Sequence, residues 1–100
     1  MSCEDINKEA LLLVERIRAA HLNPLYFESL IKARGAVKGF RRLMESGVAQ
    51  SGFISLMEKN MSELSAEAFV LEPRWADCFD ESVKKAARFR LDHWKELPRE

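Results

Sequence analysis

Between Ser51 and Leu71 the apolar side chains Ile54, Met57, Met61, Leu64, Ala68 and Leu71 recur three or four residues apart, the rhythm of a helix with one apolar seam. The spacing predicts a helix over residues 52–71, with Ser51 as its cap. Ser55 and Glu58 offer a capping box one turn later, and Ser62 and Ser65 weaken the second half, so a break near Ser65 is an open alternative. A single seam cannot stay in water, and three further stripes can cover it. Ile6, Ala10, Leu13, Val14, Ile17 and Ala20 predict a first helix over 4–21, with Glu4 and Asp5 in the opening turn, where the helix dipole favours negative charge. Asn23 and Pro24 cap and launch a second helix over 24–46, carried by Tyr26, Phe27, Leu30, Ala33, Val37, Phe40 and Met44 and stopped by Ser46 and Gly47. Glu72 and Pro73 open a last helix over 74–96, through Trp75, Ala76, Phe79, Val83, Ala87, Leu91 and Trp94. Asp80 followed by Glu81 could instead cap a shorter helix and leave Trp75 to Phe79 irregular.

Connections of a few residues favour antiparallel neighbours, so the expected fold is all-α, with about four helices in an up-and-down bundle and residues 1–100 as a single helical domain. Gly35 and Gly39 sit four apart inside the second helix, each costing about 1 kcal/mol relative to alanine. Either they make a flat patch where another helix approaches, or the helix kinks or restarts there.

Composition supports a packed helical chain: 47% of residues are apolar and 32% charged, with only four glycines and three prolines. The 16 basic and 16 acidic residues cancel, which argues against a chain built mainly to coat nucleic acid. Locally the balance fails, because Lys32 to Arg42 holds five cations and no acid, and Arg34, Lys38, Arg41 and Arg42 follow helical spacing. Such a face could track a phosphate backbone. Its alternative is a solvated face paired with acids of a neighbouring helix. The linker ESGVAQSG is too long and polar for the turn of a helix-turn-helix.

Residues able to carry chemistry are few. Cys3, His21, Cys78 and His93 are the soft ligands, and no two share the i, i+3 or i+4 spacing that presents a pair to a metal. Cys78 and His93, fifteen apart on one expected helix, stand too far apart to act together as nucleophile and base. No nucleophile elbow, phosphate-binding glycine loop or zinc-protease motif occurs. The expectation is therefore a non-enzymatic protein with no catalytic residue, metal or cofactor. Two unpatterned cysteines suggest a reducing, cytoplasmic setting, and neither an export signal nor a membrane span is indicated.

The apolar surplus is more informative. Leu11, Leu12, Phe53, Leu56, Phe69, Val70, Trp75 and Phe89 fall outside the main stripes, and a small four-helix domain has limited interior in which to hide them. An interface with a partner or a second copy is expected from them, centred on Leu11, Leu12, Gly35, Gly39, Phe53, Leu56, Met57 and Trp75. Flexible thioethers at Met57 and Met61 would suit either a surface that repacks around a partner or an ordinary core.

In size, all-helical pattern and leftover apolar surface, the chain resembles the small bacterial anti-activators that bind quorum-sensing transcription factors, the QslA-like antagonists of LuxR-type regulators such as LasR. The resemblance is one of overall character and transfers no individual residue. It implies a homodimer that docks on the ligand-binding domain of a LuxR-type regulator and blocks that regulator's dimerisation or DNA binding.

Overall fold

The first stripe folds as expected, as a helix α1 over Ile6–Ala19 that buries Ile6, Ala10, Leu13, Val14 and Ile17. The computed structural model describes residues 3–100, so the first two residues of the expected 1–100 domain lie outside the described residues. Helix α1 ends in a left-handed corner at His21, φ 62°. There the His21 N–H donates to the Arg18 carbonyl and the Leu22 N–H to the Ile17 carbonyl, which satisfies the last open carbonyls of the helix.

The second stripe is two helices, α2 over Leu25–Arg34 and α3 over Ala36–Glu45, and the single helix expected over 24–46 is corrected accordingly. Asn23 caps the entry as expected, its side chain accepting from the Leu25 N–H at 3.0 Å. Gly35 makes the break, at φ 79°, where a side chain would be strained. The first N–H of α3, on Ala36, is satisfied by the Asn7 side chain of α1 at 2.7 Å. Gly39 then lets α3 lie close against α2, since a Cβ there would stand 3.1 Å from the Leu30 carbonyl oxygen. Both open readings of the glycine pair therefore apply, one to each residue, and the closely approaching helix belongs to the same chain.

The third expected helix, 52–71, is also divided. Helix α4 covers Ser51–Glu58 and stops at a second left-handed corner, Asn60 with φ 58°. Asn60 N–H donates to the Met57 carbonyl and Met61 N–H to the Leu56 carbonyl, the same closing pattern as at His21. A 3-10 turn, Ser62–Leu64, leads to a short helix α5, Ala66–Val70, capped by Ser65, whose Oγ accepts from the Ala68 N–H at 3.0 Å. The regular spacing from Ile54 to Leu71 thus runs through two corners.

The fourth helix expected over 74–96 is shorter, as the Asp80 alternative allowed: α6 spans Glu81–Asp92, and the Asp80 carboxylate accepts from the Val83 N–H at 3.0 Å. Pro73–Trp75 and Trp94–Glu96 are separate 3-10 turns. The described residues thus form six α-helices with no strand, and the simple four-helix bundle gives way to an arrangement of shorter helices.

Phe40, fully buried, stands at the centre of the main core, with ring centroids 5.2 Å from Phe27 and 4.9 Å from Phe69, and Phe69 stacks in turn on Trp75 at 5.5 Å. A smaller cluster of Ala49, Phe53 and Ile54 is covered by Met57, Leu91, Trp94 and Leu97. The chain closes over it where the Ala49 N–H donates to the Pro98 carbonyl and the Glu100 N–H to the Ala49 carbonyl. Cys78 lies in the turn before α6, outside any helix, and forms a disulfide with Cys3. Cysteines so paired carry no argument for a reducing setting. No helix among the described residues is long and apolar enough to cross a membrane.

Candidate functional site

Leu11 and Leu12 follow one another on α1, outside its buried stripe of Ile6, Ala10, Leu13, Val14 and Ile17. Both are exposed, Leu12 to 50%. Across a shallow groove from them α2 presents Glu28 and Lys32, while Lys8 and Glu15 of α1 complete the rim. Glu28 is tied to Lys32 at 3.5 Å and to Arg18 at 3.1 Å, and Arg18 also pairs with Glu15. Two more large apolar side chains, Leu25 (59% exposed) and Tyr26, stand at the start of α2. The groove of Leu11 and Leu12 joins apolar centres to a charged rim of both signs, a composition suited to contact with another protein.

The other expected interface residues are elsewhere. Phe53, Leu56 and Trp75 are buried within the chain, Trp75 to 2% exposure, and Met57 is half-buried against the smaller core cluster. Gly39 is buried against α2, and Gly35 lies beside Asn7. Of the eight apolar residues outside the main stripes, Phe69 and Val70 are also interior, whereas Phe89 is 54% exposed and packs on His93 at 4.6 Å between ring centroids.

Arg34, Lys38, Arg41 and Arg42 are all exposed on α2 and α3. None of the ion pairs among the described residues engages them, so the expected pairing with acids of a neighbouring helix is not made. Arg41 comes near enough to Asp80 to act on its charge without bonding to it.

A third group went unread in the sequence. Arg90 of α6 is 2% exposed and spends its donors inside the protein: Nε reaches Glu67 Oε2 at 2.6 Å, Nη1 the carbonyls of Ser46 and Val48 at 3.0 Å each, and Nη2 the Gln50 Oε1 at 2.9 Å. Its guanidinium also lies 5.2 Å from the centre of the Phe53 ring. Burial pushes the Glu67 carboxyl above its ordinary value, while the charge and hydrogen bond of Arg90 pull the other way. Val83, Ala87 and Arg90 follow helical spacing, four and then three apart, so the signal was an arginine on the buried stripe of α6, where Leu91 had been expected.

Glu67 and Gln50 both line a cavity of about 190 Å³ between α4, α5 and the Leu22–Phe27 segment. Its walls include Ile17, Leu22, Phe27, Leu43, Phe53 and Leu56, and it opens to solvent past Asn23, Tyr26 and Ser51. Leu22 follows the left-handed corner at His21, and Leu56 lies on α4, one turn before the corner at Asn60. Compared with known protein families, with curated proteins and with solved structures, the chain matches none.

Proposed function

We propose that this is a non-enzymatic regulatory protein that acts by contact with another protein through the outer face of α1 and α2. The observation that carries the reading is the exposure of Leu11 and Leu12 side by side on α1, within a rim formed by Lys8, Glu15, Glu28 and Lys32. Apolar surface contributes about 25 cal/mol per Å² when removed from water, so one such anchor supplies about 2 kcal/mol. Self-association as a homodimer is the simplest use of the face, since two copies bring identical apolar centres together. The finer reading is sequestration of a transcription regulator, an anti-activator of a LuxR-type quorum-sensing protein, and it rests on resemblance in overall character alone.

The test pairs sedimentation with a pull-down from native extract, comparing the unaltered protein with Leu12→Glu. A concentration-dependent dimer or a specific captured partner, lost in Leu12→Glu with far-UV circular dichroism unchanged, is the expected result. A monomer at all accessible concentrations that captures the same proteins with or without the substitution would overturn it.

A second reading, a small nucleic-acid-binding module, is favoured by one observation: Arg34, Lys38, Arg41 and Arg42 are exposed and enter none of the ion pairs among the described residues. Phosphate binding weakens steeply as salt rises, whereas an apolar interface barely responds. Reversing the four charges should leave the activity intact if the protein contact is the function and abolish it if the phosphate contact is.

A further inference from the structure

We infer that the cavity between α4, α5 and the Leu22–Phe27 segment is a binding site for a small apolar amine, its apolar body inside and its cationic group at the mouth beside Glu100. The site is separate from the protein-contact face, since it shares no lining residue with the groove of Leu11 and Leu12. Volume sets the body. An apolar cavity of about 150 Å³ accepts benzene, so the 190 Å³ here holds one ring with a short arm. The walls agree, because Ile17, Leu22, Phe27, Leu43, Phe53 and Leu56 are apolar and two of them offer rings against which a flat body lies.

Charge sets the other end. Among the described residues two acids, Glu67 and Glu100, line the cavity, and no lysine, arginine or histidine does. Glu67 asks nothing of a ligand, because Arg90 bonds its Oε2 and its own backbone N–H also serves the carboxylate. The negative charge left over is that of Glu100. Its side chain enters no hydrogen bond or ion pair among the described residues, and Arg99, next to it in the chain, does not line the cavity. The Glu100 N–H is tied to the Ala49 carbonyl at 3.2 Å, which holds the residue beside Gln50 of the cavity wall. A carboxylate there attracts a cation and repels an anion. Because Glu100 is exposed, an ammonium beside it keeps water on its outer side and escapes the loss that full burial of a charge brings. An uncharged molecule of the same shape fills the cavity but gains nothing at the mouth.

Phenethylamine, a cation at neutral pH, is the probe. Phenethyl alcohol, of the same shape without the charge, and phenylacetate, an anion on the same ring, are its controls. Each is titrated into isotope-labelled protein while backbone amide signals are followed. Saturable shifts confined to residues around the cavity are expected, with the amine half-saturating at about 1 mM or below, the alcohol about threefold weaker and phenylacetate weaker still. Glu100→Gln, at an exposed position outside every helix, should bring the amine to the level of the alcohol and leave the alcohol unchanged. Gly52 supplies the blocking variant, because a Cβ there points at the Asn23 carbonyl at 3.6 Å, an ordinary contact at the rim. Gly52→Leu should weaken the amine about tenfold or more while circular dichroism stays unchanged, and Ser55→Leu gives the same block from the next turn should Gly52→Leu fail to fold. Absence of saturable shifts at millimolar amine overturns the inference. So does either control binding as tightly as the amine, a Glu100→Gln protein that keeps the preference for the amine, or a folded blocking variant that binds it as before.

Discussion

Helices α1 and α4 both carry large apolar side chains outside their main stripes, yet Leu11 and Leu12 of α1 stay in solvent while Phe53 and Leu56 of α4 are buried. The difference lies in what the chain brings back to each helix. Against α4 come Leu91, Trp94 and Leu97, some forty residues later, held by the pairing of Ala49 with Pro98 and Glu100, and the Arg90 guanidinium lies over Phe53. The outer face of α1 receives only the rim charges of α2. An apolar residue off the stripe is therefore interior where a distant segment returns to it, and is free to meet a partner where none does.

The largest expected effect breaks the α4 side of this comparison. Arg90→Ala leaves the Glu67 carboxylate buried without its partner and frees the Ser46 and Val48 carbonyls, so it should cost about 3–5 kcal/mol in denaturant unfolding. No single change on the α1–α2 face should approach that. If Arg90→Ala proves near neutral, the network is not what fastens residues 46–50 to α6.

Next comes the direct contrast between the two leucines. Leu56→Ala should destabilise by about 2–5 kcal/mol through transfer and cavity terms, whereas Leu12→Ala, compared at a dilution where the chain is monomeric, should fall within about 0.5 kcal/mol of the unaltered chain. Thermal melts of the two variants check this, and equal losses would mean that Leu12 is covered in the protein as it exists in solution.

A smaller effect separates the two glycines of the α2–α3 pair. Gly39→Ala gains helix propensity but forces a methyl against the Leu30 carbonyl, with a net loss of about 1–2 kcal/mol, and Gly35→Ala loses about 1 kcal/mol through its positive φ. Chemical denaturation of both variants is the measurement. A gain in stability at position 39 would show that the two helices stand farther apart.

The smallest effect concerns pH. The Ser82 hydroxyl and the Val83 N–H hold the Asp80 carboxyl below its ordinary value. Because the folded value is the lower one, the stabilisation is complete above the ordinary carboxylate range and is lost as pH falls through the folded value. Asp80→Asn keeps a capping acceptor but cannot titrate. The melting temperature of the unaltered protein should thus drop towards that of Asp80→Asn by a few degrees as the solution is acidified, and a constant difference would deny the carboxylate this role.

How much of this was legible varies by residue. The Asn23 and Asp80 caps could be read because a side chain bonding a backbone N–H two or three residues on is a local event. The end of α1 could not, because His21 closes a left-handed corner that glycine usually fills, whereas α4 ends at Asn60, a residue that takes this conformation readily and is a local stop signal. Gly35 was singled out, but its choice between kink and contact depended on Asn7, whose side chain caps Ala36, 29 residues away, at the start of α3. Of the candidate interface, Leu11 and Leu12 remain on the surface, Gly35 and Met57 are half-buried, and Phe53, Leu56 and Trp75 are enclosed by segments whose return no periodicity encodes.

The sequence by itself determined the helical class, the buried stripe of α1 and the entry of α2, and it offered Asp80 as one of two starts for the last helix, since each follows from side-chain spacing within a few turns or from a cap beside its own backbone. Only the tertiary structure decided that Arg90 and Glu67 are interior, that Cys3 meets Cys78, and that Leu22 and Leu56 line one cavity. The ion pair and the disulfide depend on groups 23 and 75 residues apart meeting at hydrogen-bond and covalent distance. A buried charge is tolerated only once such a partner has arrived.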